Sequence, residues 1–89
     1  MERYYRGTKV TIRLKTEEEL DFILTETNES GFVFQLFCIK GYNAGQIFGY
    51  IEEQSKYSSS ERAVDKLFLE NQLSRNILDF KEIISIVEQ

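Results

Sequence analysis

Carboxylates are the most concentrated reactive groups in this chain, and residues 17–29 hold six of them. Clustered carboxylates bind divalent cations when their side chains converge on one point. A helix is expected here, and consecutive residues of a helix point about 100° apart, so these carboxylates would not converge. The chain has no histidine to complete a transition-metal site. We therefore predict no metal and no cofactor, and we interpret Glu18 and Asp21 as candidates for contact with a basic protein partner.

Groups suited to catalysis are scarce. Without histidine, acid–base chemistry near neutral pH would need a carboxylate or lysine with a strongly shifted pKa, and no pair of that kind is visible. Cys38 is the only cysteine and stands in an apolar segment, where a thiol is usually an inert small hydrophobe. Gly41 and Gly45 bracket a link between two strands, which is not the context of a phosphate-binding loop. The sequence predicts a protein that is not an enzyme and has no catalytic residue.

Aromatic and basic side chains are interleaved on predicted strands. Arg13 lies on the first strand, and Phe37, Phe48 and Tyr50 lie on two later ones. Rings supply stacking area and cations supply charge, so their combination on a sheet forms a recognition surface. We predict that these four side chains share one open sheet face and bind a partner there.

The segment Phe48-Gly-Tyr-Ile51 resembles the core of the RNP1 motif of RNA-recognition domains, in which two aromatics stack on bases. It differs from that motif where Gln46 and Ile47 precede it and where Glu52 and Glu53 follow it. The resemblance covers four residues and implies RNA binding as an alternative function.

Composition predicts one soluble globular domain over residues 1–89, with 42% hydrophobic and 29% charged residues. Fifteen acidic against eleven basic side chains give a net charge of −4, which disfavours attraction to polyanions. A single cysteine excludes a disulfide-stapled secreted scaffold. No apolar run approaches the roughly 20 residues of a membrane helix, so we expect a cytoplasmic protein that does not bind membranes.

The elements that would position these residues begin with a strand at residues 8–15, where Val10, Ile12 and Leu14 alternate with polar residues. A Thr16-x-x-Glu19 capping box then predicts a helix that ends at Gly31. Its apolar residues follow helical spacing and comprise Leu20, Ile23 and Leu24, with Thr27 one turn further.

A hairpin follows, because two apolar runs of strand length, residues 31–40 and 46–53, flank the five-residue link 41–45. A second capping box, Ser58-x-x-Glu61, predicts a helix that runs to about Leu73. Residues 77–89 fit either a helix or a strand. We predict a strand, because it completes a compact two-layer domain.

This order of elements, βαββαβ, predicts an α+β ferredoxin-like fold with a four-stranded antiparallel sheet and both helices on one face. The first and third strands would lie side by side at the centre of the sheet. The predicted core consists of Ile12, Leu24, Phe34, Leu36, Ile47, Ile51, Leu67 and Phe68.

Small size, acidity and the open face together predict a protein-interaction module. The leading hypothesis is a small acidic inhibitor, immunity protein or antitoxin that masks a protein partner such as a basic toxin or nuclease. The alternatives are an RNA-recognition-like module that binds nucleic acid, and a homo-oligomeric regulatory or ligand-binding module, at its simplest a homodimer. The binding surface is expected to be either the open sheet face or the acidic first helix.

Overall fold

The computed structural model describes residues 3–41, 43–57 and 60–88, and within them the chain forms seven strands and one helix. The elements in chain order are β1 Arg3–Tyr4, β2 Lys9–Leu14, β3 Glu19–Glu26, β4 Phe32–Lys40, β5 Ile47–Glu52, β6 Val64–Asp65, α1 Lys66–Asn76 and β7 Phe80–Val87. Five of the strands form an antiparallel sheet in the order β5-β4-β3-β2-β7, and β1 pairs with β6 in a small second sheet. The predicted ferredoxin-like βαββαβ fold is therefore wrong.

The largest error is the first predicted helix, which is strand β3. Leu20, Phe22 and Leu24 are all buried on one face of this strand, so the buried residues repeat every two positions, as in a strand, and not every 3.6, as in a helix. A tight turn joins it to β2: the amide of Leu14 donates to the carbonyl of Glu18 over 2.8 Å. The hydroxyl of Thr16 donates to the Glu18 carboxylate and caps no helix.

Insertion of β3 also changes the strand order. The hairpin of β4 and β5 forms as predicted, but β4 pairs with β3 and does not touch β2. Strand β2 instead lies between β3 and β7. The prediction that the first strand would lie beside the third is therefore wrong, whereas the prediction of a final strand, β7, is confirmed.

The one described helix, α1, begins five residues after the predicted capping box, of which Ser58 and Ser59 lie outside the described residues. Its N-cap is Asp65, whose carboxylate accepts a hydrogen bond from the amide of Phe68 over 2.9 Å. Its buried side chains are Leu69, Gln72 and Leu73. It is 11 residues long, and no helix in the described part of the chain has the length and apolarity to cross a membrane.

The core lies between α1 and one face of the five-stranded sheet, and each strand contributes alternate residues to it. Five predicted core residues are fully buried and confirmed: Ile12, Leu24, Phe34, Leu36 and Ile51. Phe68 packs at the margin of the core. Leu67 is 78% exposed and Ile47 is 47% exposed, so these two assignments are wrong.

Helix α1 contacts both outer strands of the sheet, β5 and β7. Two of its side chains bind the outer edge of β5: Asn76 donates to the carbonyl of Tyr50 over 3.0 Å, and Gln72 accepts from the amide of Glu52 over 3.1 Å. The helix thus closes the core and satisfies backbone groups that an outer strand would leave unpaired.

Candidate functional site

The open face is the sheet face that points away from α1, and one line of residues crosses it through all five strands. The register places Val87 opposite Lys9, Lys9 opposite Ile23, Ile23 opposite Phe37, and Phe37 opposite Ile47. Directly opposite residues in antiparallel strands point to the same face, so these side chains are neighbours. We call Val87, Ile23, Phe37 and Ile47 the apolar row.

The apolar row is accessible to solvent. Ile47 and Val87 are each 47% exposed, and Ile23 and Phe37 are half-buried. Of the four, only Phe37 belongs to the predicted site. The other three could have been found from alternation within their strands, but only after the correct strand register was known.

Tyr50 lies beside the apolar row on the open face, as predicted. It pairs with Gln35, and its ring centroid lies 5.5 Å from that of Phe32. Tyr50 is half-buried. It extends the apolar row toward the end of the sheet where β4 begins.

Phe48 does not lie on the open face. The register of β4 with β5 shifts between Leu36 and Phe37, which makes Phe48 the extra residue of a β-bulge. The ring of Phe48 turns to the core and meets the buried ring of Phe22 edge-on, with 5.1 Å between centroids. The prediction that Phe48 and Tyr50 share one face is therefore wrong, and the two aromatics of the RNP1-like segment point in opposite directions.

The neighbouring glycine explains how the bulge fits beneath α1. A Cβ atom on Gly49 would collide with the side chain of Asn76, the residue that binds the outer edge of β5. Glycine is therefore required here by a close approach to the helix.

Arg13 is on the open face, as predicted, but it is not a free cation. Its guanidinium lies 2.7 Å from the Glu82 carboxylate, 3.5 Å from that of Glu19 and 3.7 Å from that of Glu17. The hydrogen bond to Glu82 is the main cause of a raised pKa for Arg13. We call Arg13 with these three carboxylates the charged end of the open face.

Lys81 also joins the charged end, because its ammonium lies 2.9 Å from the second oxygen of Glu17. This hydrogen bond lowers the pKa of Glu17. Two carboxylates of the acidic stretch, those of Glu17 and Glu19, therefore bind cations of the chain itself. No group of three or more potential metal ligands converges within residues 3–41, 43–57 and 60–88.

The two acidic candidates differ in their surroundings. Asp21 is buried, accepts a hydrogen bond from the Thr11 hydroxyl over 2.8 Å and lies 3.7 Å from the ammonium of Lys9. Glu18 is exposed in the turn between β2 and β3. Asp21 therefore holds the side chains of Thr11 and Lys9 in place on the open face, whereas Glu18, at the rim of that face, is accessible to a partner.

Cys38 is a free thiol that is fully buried in β4. Its burial raises the thiol pKa, which keeps it protonated and unreactive at neutral pH. Cys38 lies opposite Phe22 in the sheet, and the ring of Phe22 contacts that of Phe48.

Cavities offer no better candidate within the described chain. A space of about 110 Å³ is bordered by Val33, Tyr57 and Arg62, which is below the roughly 300–1,000 Å³ of typical ligand pockets. A larger groove of about 360 Å³ runs beside α1 past Leu67 and Phe68, but it is a shallow surface feature.

The open face is therefore the candidate site, with an apolar row, a charged end and one exposed carboxylate at the rim. Comparison of this chain with protein-family models, with curated proteins and with solved structures finds no match.

Proposed function

We propose that this chain is a non-enzymatic protein-interaction module that binds a partner protein through its open face. The observation that carries the proposal is the apolar row, whose four residues lie on β7, β3, β4 and β5 on the side that α1 leaves uncovered, with Lys9 of β2 between Val87 and Ile23. Protein interfaces have an apolar centre rich in aromatic residues and a polar rim. The apolar row supplies such a centre, and the charged end supplies part of such a rim.

The charge at the rim favours a basic partner. Arg13 is surrounded by three carboxylates, so its positive charge is already neutralised within the chain. Glu18 stands beside it without a cationic partner in the described residues, and the whole chain carries a net charge of −4. A basic protein surface would be attracted to this rim, which speeds association and disfavours acidic partners.

A small acidic inhibitor, immunity protein or antitoxin that masks a basic toxin or nuclease is the class of protein that fits these features best. Such a role needs a surface and no catalytic groups. A cytoplasmic location is part of this proposal, because the free thiol of Cys38 suits a reducing compartment.

RNA recognition has less support. The two aromatics of the RNP1-like segment cannot stack on bases together, because Phe48 and Tyr50 lie on opposite faces. Contact with phosphate would need unpaired cations, and Arg13 on the open face is paired with carboxylates.

Site-specific photocrosslinking in the cells that make this protein tests the proposal. A photoreactive amino acid replaces Phe37 in the apolar row, and in a matched control it replaces Leu78, which is 93% exposed in the turn between α1 and β7. We expect one discrete protein to be crosslinked from position 37 and not from position 78. Adding Ile47→Lys, which places a charge in the apolar row, should abolish that crosslink.

Equal crosslinking from both positions, or a crosslink that survives Ile47→Lys, would contradict the open face as the binding surface. The alternative partner class is tested with the captured complex. Binding to nucleic acid should weaken by roughly a thousandfold between about 50 and 200 mM salt if six or more phosphates are contacted. Binding to a protein through the apolar row should change far less over that range.

A further inference from the structure

The two outer strands of the sheet are protected to different extents. The edge of β5 is covered by Asn76 and Gln72 of α1, which bind the carbonyl of Tyr50 and the amide of Glu52. Strand β7 ends the sheet on the other side, and no strand among residues 3–41, 43–57 and 60–88 pairs with its outer edge. Its outward N–H and C=O groups are therefore a template for one more strand.

The composition of β7 favours pairing of this edge with another strand. It is eight residues long, and its segment Ile83-Ile-Ser-Ile-Val87 contains neither charge nor proline. Ile84 and Val87 are both exposed. A long apolar outer strand is a strong site for pairing between chains, and single-chain proteins normally cover it or shorten it.

We propose that β7 pairs antiparallel with β7 of a second copy of this chain and forms a weak homodimer. The contact is made through the backbone edge of β7, although Lys81, Glu82 and Val87 of this strand also border the open face. The proposal does not depend on the proposed function, because no partner protein is needed for it. Antiparallel pairing of identical strands around a two-fold axis is isologous and closed, and it yields a dimer rather than a fibre.

The faces of β7 select a register for this pairing. Ile83 and Ile86 lie opposite the buried Ile12 and Val10, so both point to the core face. A register that places Ile83 opposite Ile86 of the second copy therefore keeps core-face residues together. The same register places Glu82 opposite Val87, and these two residues both point to the open face.

Charge complementarity supports that register. It places Lys81 at the level of Glu88, the first residue after β7, whose side chain is not fixed by strand alternation, and the two-fold axis repeats the pair. Lys81 is exposed and lies 2.9 Å from the Glu17 carboxylate, so its ammonium would stand between two carboxylates in the dimer. Opposite charges directly across a strand pair are favourable, and like charges there are unfavourable.

The shape of β7 limits which strands can pair with it. Its pairing with β2 is interrupted twice, between Thr11 and Ile12 and between Arg13 and Leu14, and such bulges increase the local twist. A flat strand would fit this edge poorly. A second β7 has the same twist by symmetry. Contact through one strand buries little area, so the dimer is expected to be weak.

Sedimentation equilibrium of the full chain, from about 10 µM to about 1 mM, tests the dimer. The parent should self-associate within this range, and a chain that stays monomeric throughout would overturn the proposal. Lys81→Glu and Glu88→Lys should each weaken self-association by about tenfold or more, because two attractions become repulsions. An equimolar mixture of the two variants should recover the association of the parent, since each chain then meets opposite charges at both positions.

Two controls separate this interface from other causes. Lys66→Glu and Glu70→Lys make the same charge changes on α1 and should associate as the parent does. Ile47→Lys alters the open face and should also leave the dimer intact. Failure of the mixed variants to associate would contradict the register, and loss of the dimer in Ile47→Lys would place the interface on the open face and overturn the proposal.

Discussion

At the scale of single residues, Asp65 makes more connections than its position in a short strand suggests. Its carboxylate caps α1 through the amide of Phe68 and accepts a second hydrogen bond from the side-chain amide of Gln54 over 3.0 Å. Its own amide donates to the carbonyl oxygen of the Gln54 side chain, also over 3.0 Å. Asp65 therefore ties the start of the helix to the segment that follows β5.

These contacts give the stability of the protein a defined dependence on pH. The hydrogen bond from Phe68, and then that from Gln54, lower the pKa of Asp65 in the folded state. A carboxyl group whose folded pKa lies below its unfolded value of about 3.9 stabilises the fold above that value. The contribution is lost as the pH falls through the folded pKa.

We predict that Asp65→Asn, which keeps an oxygen for capping but cannot ionise, unfolds more easily than the parent at pH 7. Asn caps helices about as well as Asp. The difference in free energy of unfolding therefore comes from the lost charge and should be about 0.3–1 kcal/mol, the range for a charge at a helix N-terminus. Urea titrations at pH 7 and near pH 2.5 measure it. The difference should shrink at the lower pH, and a difference that is equal at both pH values would contradict the assigned role of the charge.

At the scale of elements, helix α1 shows how little the composition of a helix reveals about its buried side. Leu67 and Leu69 are two residues apart, so they point to different sides of the helix. Leu69 is fully buried, whereas Leu67 is 78% exposed. The packing of α1 on β5 determines which leucine is buried. The position at which the helix starts, Lys66 instead of a residue near Ser58, does not determine it.

We predict that Leu69→Ala costs about 2–5 kcal/mol of stability, the range for deleting a buried leucine side chain. Leu67→Ala should change the free energy of unfolding by less than about 0.5 kcal/mol, because most of its surface is already in water. Thermal and urea unfolding of the two variants provide a matched comparison. Equal losses in both would mean that the helix packs with a different side toward the sheet.

The elements that could be predicted are those with one dominant signal. Alternation identified β2, and two apolar runs around Gly41 and Gly45 identified the hairpin. Strand β3 was missed because Leu20, Ile23 and Leu24 fit a helix as well as a strand, and because its acidic start resembles the first turn of a helix. Only pairing with β2 and β4, which is not local information, decides between them.

The candidate site was predictable to the same limited extent. Phe37 and Tyr50 lie on the open face because regular alternation holds at both positions. Phe48 and Ile47 exchange their expected faces because a bulge adds one residue to β5. Alternation cannot reveal a bulge, although Gly49 within a strand is a recognised cue for one.

At the scale of the whole molecule, the sheet separates stability from recognition: one face forms the core and the other carries the proposed binding surface. Ile47 and Ile51 are on the same strand and illustrate the two roles. Ile51 is fully buried against the core, whereas Ile47 lies in the apolar row.

We predict that Ile47→Lys melts at about the temperature of the parent yet loses its protein partner. Ile51→Lys should not fold stably, because an unpaired charge would be buried in the core. Circular dichroism melting curves and crosslinking from position 37 measure the two properties. Loss of the fold in Ile47→Lys would mean that the open face also maintains stability.

The pairing of β2 with β7 has a consequence for how the protein is made. Leu14 and its partner Phe80 are about 66 positions apart along the chain. At synthesis rates of about 5–20 residues per second, β2 emerges several seconds before the strand that must lie beside it. During that interval β2, β3, β4 and β5 can form a meander, but the edge of β2 is bare and α1 has not yet closed the core. The nascent chain therefore passes through a stage with an unpaired apolar edge, in which delayed elongation would favour aggregation and a chaperone that binds extended strands would favour the native sheet.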